Sequence, residues 1–332
     1  MVSLCLLEAN YDPTIQIGAI LNEINGNYRV GNSDYFILEA CEYVESFLKF
    51  SPKSAIVLNI DSDHLDYFED FAHINLAFQK YVDILPKDGI LVVNADDENC
   101  LKLRDYTSAK TVTCGIKNKR ANFVASNISF DENGFPKFDV YHNNNYYGEF
   151  KLSVVGLHNV LNSLTCIALC HEHGVSKYDI KGGLLKFKGA NRRFELIGES
   201  RGAFVYDDYA HHPSEVIATV EAMKNKTYRQ SWAVFQPHTY SRTHEFLEDF
   251  AKSLLDFDNI IITDIYAARE TNTYGISSED LVNKIKSLGK EAILISDFDD
   301  ICHHIKERAC PKDIIMTIGA GTVDEVARKI ID

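Results

Sequence analysis

The chain lacks any run of about 18 apolar residues, the length a membrane-spanning helix needs, and no basic segment precedes an apolar stretch at its start. A soluble, unexported, cytoplasmic protein with no membrane partner is therefore expected. Positive charge is not in excess: 34 lysines and arginines stand against 48 aspartates and glutamates, a formal net charge of -14. Such a field repels polyphosphate backbones and argues against nucleic acid as a general partner. There is no C-x-x-C pair among the eight cysteines, at 5, 41, 100, 114, 166, 170, 302 and 310. That argues against a zinc knuckle or a disulfide framework and fits a reducing compartment. Cys166 and Cys170 fall one helical turn apart, and Cys302-His303-His304 form a short run; both read more simply as buried or incidental residues than as sites. Internal repeats and low-complexity segments are missing as well.

What is present is enough apolar material for more than one core: 332 residues, 45% hydrophobic and 25% charged, exceed the size at which single cores stop growing. Up to about residue 120, strand-like runs at 35–38, 55–60 and 89–94 alternate with helical patterns such as 69–84. This rhythm predicts an α/β unit with a mostly parallel sheet. From 122 to 155 it changes to strand-like stretches broken by Asp131-Glu132-Asn133-Gly134 and His142-Asn143-Asn144-Asn145, turn chemistry that suits an antiparallel meander. A helix over about 159–173, ended by Gly174, follows. The polar, glycine-containing stretch 188–193 suits a domain junction and predicts a first domain over 1–188 and a second over 189–332. Beyond it, strands at 203–208, 231–236, 259–264, 292–296 and 313–318 alternate with helices near 213–225, 243–255, 278–288, 298–308 and 322–331. That alternation predicts a doubly wound α/β domain.

Charged and histidine residues gather at the strand ends, where open α/β sheets place ligands. Glu39-Ala40-Cys41-Glu42 follows one strand and Asp61-Ser62-Asp63-His64-Leu65-Asp66 another; carboxylates with imidazole suit a divalent cation carrying phosphates. Each run, taken alone, is equally a cap or a solvated loop. An EF-hand is excluded, because the loop glycine is missing and Ala72 stands where the bidentate glutamate belongs. Gly156-Leu157-His158-Asn159 opens a helix on which Asn159 and Asn162 share a face; their amides can match an adenine edge, although asparagine near a helix start is more often a cap. In the second half, Asp207-Asp208-Tyr209-Ala210-His211-His212-Pro213 ends one strand. Phe235-Gln236-Pro237-His238-Thr239-Tyr240-Ser241-Arg242 ends the next, and Asp264-Ile265-Tyr266-Ala267-Ala268-Arg269-Glu270 the third. His238 and Arg242 are suited to holding a small carboxylate by charge-assisted hydrogen bonds.

In their order along the chain these phrases resemble the Mur ligase family. Glu39-Ala40-x-Glu42, Asn59-Ile60-x-x-Asp63-His64-Leu65-Asp66, Gly156-x-His158-Asn159-x-x-Asn162, Arg192-Arg193-Phe194, Asp207 to Pro213 and Phe235-Gln236-Pro237-His238-x-Tyr240-x-Arg242 carry the resemblance. It implies a central ATPase domain and a Rossmann-like C-terminal domain, behind an N-terminal domain for a UDP-sugar. It also implies ATP and Mg2+ as cofactors and peptidoglycan synthesis as the setting. Among the members, the similarity points to the activity that joins L-alanine to UDP-N-acetylmuramate through an acyl phosphate. The members that attach a murein tripeptide are the nearest alternative.

By the same resemblance, Glu39 or Glu42 with His64 would hold magnesium and Asn159 and Asn162 would face adenine. Arg193 would approach the ATP phosphates and Asp207 or Asp208 the ribose. Tyr209, His211, His238 and Arg242 would line the alanine and reacting-carboxylate region. Two positions depart from the family pattern, Thr239 for a second arginine and Cys41 for an aspartate. The family's G-x-x-G-K-[ST] loop is expected just before the first helix, and the only Gly-Lys pair is Gly289-Lys290, followed by Glu291. A truncated ATPase domain, a missing N-terminal portion and little or no ligase activity of the chain alone are therefore expected. The competing readings are a binding remnant that has lost catalysis and a metal-dependent phosphohydrolase built on Asp61, Asp63, His64 and Asp66.

Overall fold

A computed structural model describes residues 1–62 and 67–331. Asp63, His64, Leu65 and Asp66, and with them one expected metal ligand, lie outside the described residues. The chain divides into two compact units, Met1–Asp131 with Phe135–Lys188, and Glu132–Gly134 with Gly189–Asp332.

The first unit opens with α1 (Val2–Glu8) and a three-stranded sheet of β1 (Thr14–Leu21), β2 (Gly26–Arg29) and β3 (Phe36–Leu38), ordered β2-β1-β3. Only the last strand is expected from the sequence. The β1-β2 hairpin reverses where Asn25 adopts a left-handed conformation (φ 54°, ψ 38°) beside Gly26, the Asn-Gly pairing that favours tight reversals. That pair is its sole local signal, because Gly18 and Ala19 weaken the apolar alternation of β1.

The main sheet of this unit runs in chain order through β4 (Ser54–Val57), β5 (Ile90–Asn94), β6 (Lys110–Gly115), β7 (Phe123–Phe130), β8 (Pro136–His142) and β9 (Asn145–Lys151). Strands β4 to β7 pair in parallel and β7 to β9 antiparallel, so the change of rhythm in the sequence is a change of pairing. Parallel strands need crossovers, and α2 (Phe71–Asp83) and α3 (Glu98–Lys102) supply two of them; Asp70 and Asp97 cap them by accepting backbone N–H bonds. Across the sheet lie α4 (Leu157–Glu172) and α5 (Lys177–Lys186). α4 stops where Gly174 turns to φ 75° and its N–H meets the His171 carbonyl. Phe123, Phe138, Phe150, Leu164 and Ile167 form the core between sheet and helices, with Cys5 and Leu6 of α1 packed into it.

The second unit has one sheet. Its elements are β10 (Glu195–Ser200), β11 (Ala203–Asp208), α6 (Pro213–Lys224), β12 (Ser231–Phe235), α7 (Tyr240–Glu245), α8 (Leu247–Ser253), β13 (Asn259–Ile262), α9 (Ser278–Ser287), β14 (Ile293–Leu294), α10 (Phe298–Arg308), β15 (Ile314–Ile318) and α11 (Asp324–Ile331). The strand order is β10-β11-β15-β12-β13-β14, parallel throughout except for β10, which pairs antiparallel with β11. β10 is unforeseen in the sequence; Arg201 and Gly202, both at positive φ (52° and 79°), form the two-residue turn that folds it back. The helix expected over 243–255 is broken at Phe246 (φ -105°, ψ 24°), whose ring meets His212 edge-on at 4.9 Å. β14 is only two residues long. Helices α6, α8 and α9 bury Val216, Phe250 and Leu281 on one face, and α10 and α11 bury Ile305 and Val326 on the other. β15 lies between β11 and β12, yet it leads to the opposite face. Chain connections therefore diverge on both sides of β15, and a crevice is left at the C-terminal strand ends. No helix among the described residues is long and apolar enough to cross a membrane.

Candidate functional site

Three strand ends of the second unit converge. β13 continues past its last paired residue so that Tyr266 bridges His238 in parallel register, with Thr239 N–H donating to the Tyr266 carbonyl and Tyr266 N–H to that of Pro237, both at 2.9 Å. Tyr266 stacks on the His238 ring (centroids 5.7 Å apart, 22°). His238 meets His211, from the end of β11, at 5.5 Å, and His211 meets Tyr209 edge-on at 5.5 Å. Arg242 Nη1 lies 3.2 Å from His238 Nδ1. A guanidinium only donates, so Nδ1 accepts and the neutral ring carries its proton on Nε2. Tyr209, His211, His238 and Arg242, the set implied by the family resemblance, thus form one chain of contacts.

α7 presents Arg242 through a strained turn. Thr239 holds φ 63° and ψ 149°, a conformation that disfavours a β-branched residue, while Glu270 accepts from the Ser241 N–H at 2.9 Å and from its hydroxyl. Nearby, Gly321 has no room for a side chain: a Cβ there would stand 2.3 Å from Gln236 Oε1 and 2.6 Å from Tyr266 Cγ.

Beneath these rings runs an ionic network. Asp207 is fully buried and accepts from Thr317 Oγ1 at 2.6 Å and Arg192 Nε at 2.8 Å. Arg192 also donates to the carbonyls of Gly321 (3.0 Å) and Gly319 (2.7 Å), and its guanidinium lies 4.9 Å above the Tyr209 ring. Asp208 accepts from the N–H groups of Phe194 (2.9 Å) and Ala210 (2.8 Å). Of the two carboxylates expected near a ribose, only Asp208, 6% exposed, reaches any surface; Asp207 has none. Glu215, at the start of α6, accepts from His211 N–H at 2.9 Å and from Arg193 Nη1 at 3.3 Å. Burial works against its charge, but His211 and Arg193 outweigh burial and hold it below the usual carboxylate range.

Burial dominates at Asp208 and pushes its carboxyl from the ordinary 3.8 up to about 6. The folded chain then keeps a proton that the unfolded chain releases, so the stability tied to this proton is full below pH 3.8 and is lost as pH rises through about 6. The side-chain carboxyl carbon of Asp208 is expected to titrate near pH 6 by NMR, and a midpoint at or below 4 would remove the buried environment described here.

In the first unit, Glu39 is exposed and its Oε2 accepts from Gly18 N–H at 2.8 Å. A Cβ on Gly18 would come 3.0 Å from Glu39 Oε1, so the glycine leaves the cradle in which this carboxylate rests. A hard, exposed oxygen donor fits a magnesium ion that keeps most of its waters. Among the described residues Glu39 and Glu42 belong to no group of three metal-ligating side chains, and His64, the third ligand expected, lies outside them. At the start of α4, Asn159 Nδ2 donates to the Val155 carbonyl at 2.8 Å, and Asn162 Nδ2 reaches Asn159 Oδ1 at 3.4 Å. The two amides share a face and are linked to each other there.

Arg192, Glu215, Tyr266 and Glu270 were given no role by the sequence reading. Arg192, Glu215 and Tyr266 each contact a residue that was given one, and Glu270 holds Ser241, next to Arg242. Arg192 stood beside Arg193 in the motif, but its partners Gly319 and Gly321 lie 127 and 129 residues away, beyond any local signal.

Residues 8–170 match the Mur ligase middle domain and residues 192–321 the Mur ligase glutamate ligase domain. The UDP-N-acetylmuramate--L-alanine ligase of Acetivibrio thermocellus is 47% identical over 331 residues, covering 100% of this chain and 71% of the relative. The solved UDP-N-acetylmuramate-alanine ligase of Thermotoga maritima superposes with a TM-score of 0.82 at 28% identity, over 99% of this chain and 70% of that one. A murein peptide ligase from Psychrobacter arcticus shares the fold, with a TM-score of 0.67 at 24% identity, over 99% of this chain and 73% of that one. These similarities run the whole length of this chain and cover 70–73% of the three relatives.

Proposed function

Since the chain belongs to the Mur ligase family, we propose that it serves bacterial peptidoglycan synthesis as an ATP-dependent ligase joining L-alanine to UDP-N-acetylmuramate. One observation carries the reading: Tyr209, His211, His238 and Arg242 leave two different strands and meet in a continuous cluster. The 47% identity to a ligase named for that reaction supports it.

The muramoyl carboxylate takes the γ-phosphoryl group of ATP and ADP leaves; the alanine amine then attacks the acyl phosphate, losing a proton and expelling phosphate as the amide forms. Arg242 binds the alanine carboxylate, and its fixed geometry turns the amine toward the acyl carbon. His238, kept neutral in the Nε2–H form by Arg242, donates a hydrogen bond without adding charge. His211 is oriented by the Tyr209 carbonyl, 2.9 Å from its Nδ1. Arg193, half-exposed and 3.3 Å from Glu215, faces the phosphate charge. Asn159 and Asn162 meet adenine, and Asp208 rather than Asp207 is the carboxylate near the ribose. Glu39 or Glu42, with His64, would hold magnesium, which neutralises charge on the phosphoryl oxygens.

Supplied with the G-x-x-G-K-[ST] loop and the UDP-sugar domain of the family pattern, the chain incubated with ATP, magnesium, UDP-N-acetylmuramate and radiolabelled L-alanine should yield UDP-N-acetylmuramoyl-L-alanine only when all four are present. Label appearing with a murein tripeptide in place of alanine would move the chain to the murein-peptide branch, whose fold it shares. No product with either acceptor would overturn the proposal.

A further inference from the structure

Three sulfur atoms meet in the core of the first unit. Cys5 on α1 and Cys166 on α4 have Sγ atoms 3.7 Å apart, and Cys166 and Cys170 4.0 Å. All three lie within 4.8 Å of one another, the one such group of potential metal ligands among the described residues. Their exposures are 0%, 1% and 1%. Sequence spacing shows only the pair on α4; the third thiol comes from a residue 161 positions away.

The separations match a coordination triangle. Thiolates bound at about 2.3 Å to a pyramidal trivalent centre, with angles near about 100°, lie about 3.5 Å apart, so closing the site needs each sulfur to move by less than about 1 Å. Charge then selects the centre. Leu164, Ile167, Ile180 and Leu184 belong to the same buried cluster, and net charge enclosed there costs several kcal/mol. Three thiolates around a monovalent or divalent ion leave a buried anion, and zinc would also want a fourth ligand. Around a trivalent centre they are neutral.

We propose that Cys5, Cys166 and Cys170 form a binding site for a trivalent thiophilic centre of the arsenite class, held as a neutral trithiolate. Three As–O and three S–H bonds break, and three As–S bonds form. Each hydroxide leaves with a thiol proton as water, and arsenic stays trivalent, so no oxidant or reductant is needed. Entry requires a local opening of α1 from α4, and the product ties the two helices together.

Native mass spectrometry of the full chain with sodium arsenite should show one arsenic gained and three hydrogens lost. Affinity should fall about a hundredfold in Cys5→Ala, Cys166→Ala or Cys170→Ala, as expected when one linked arm of a multidentate site is removed. It should not change in Cys114→Ala, a buried cysteine outside the trio, or in the exposed Cys41→Ser. Absence of the adduct from the unaltered chain would mean that the cysteines only fill the core as small hydrophobes. An adduct of unchanged affinity in Cys166→Ala, or one that disappears with Cys41→Ser, would equally overturn the site. The unaltered chain and three separate alanine variants keep the test decisive should any one variant fail to fold.

Discussion

Arg192→Ala is expected to destabilise the second unit by about 3–5 kcal/mol, the range for breaking one side of a buried ion pair. Asp207 has no exposed side-chain surface, whereas Arg192 retains 19%, so truncation strands a carboxylate that water cannot reach. The same change removes the donors to Gly319 and Gly321 and the cation stacked on Tyr209. Burial already raises the Asp207 carboxyl above its ordinary value, against the pull of Thr317 and Arg192. Without Arg192 it should rise further, so the penalty should be largest at neutral pH, where the group is ionised, and shrink as acid protonates it. Denaturant titrations at pH 7 and pH 5 measure both effects. A loss under 1 kcal/mol, or a penalty that grows in acid, would deny Asp207 and Arg192 the anchoring role. In Arg192→Ala/Asp207→Ala the cost should be well below the sum of the single changes, because no charge is left unpaired.

The second large effect concerns catalysis. Arg242→Ala should lower kcat/KM for L-alanine by about 10²–10³-fold, since losing one charged partner of a hydrogen-bonded carboxylate costs 2–5 kcal/mol. The KM for ATP should stay within about twofold, because the lost contact is to the amino acid. Arg242→Lys should recover little, for an ammonium lacks the planar fork that can engage a carboxylate and His238 Nδ1 together. Steady-state assays varying each substrate in turn separate the cases. A matching loss in ATP affinity, or full activity in the lysine variant, would place Arg242 elsewhere in the reaction.

How much of this was legible depended on where each residue's partners lie. The α/β layout, the shift from parallel to antiparallel pairing and the strand ends at Asp207, Phe235 and Asp264 all rest on periodicity and turn chemistry, which are local. His238 and Arg242 could be picked out at a strand end, while Tyr209 and His211 were reached through the family resemblance. The β1-β2 hairpin and β10 were not anticipated, since their signals are two-residue turns in stretches with weak apolar alternation. The trio of thiols was out of reach, as it needs α1 laid against α4. Asp207 and Asp208 are adjacent and chemically alike, and only the structure separates them: one is tied beneath the surface by Arg192 and Thr317, the other is held by two backbone N–H groups.

The placement of β15 between β11 and β12 bears on how a newly made chain acquires its site. Asp207 waits for Thr317, 110 residues further on, and the apolar edges of β11 and β12 have no neighbour until Ile314–Ile318 slides between them. Long-range closure of this kind is slow, and the half-built sheet offers open edges to other chains meanwhile. Ribosome-stalled intermediates ending before residue 313 should therefore be open to protease across 203–262, with resistance arriving in a single late step.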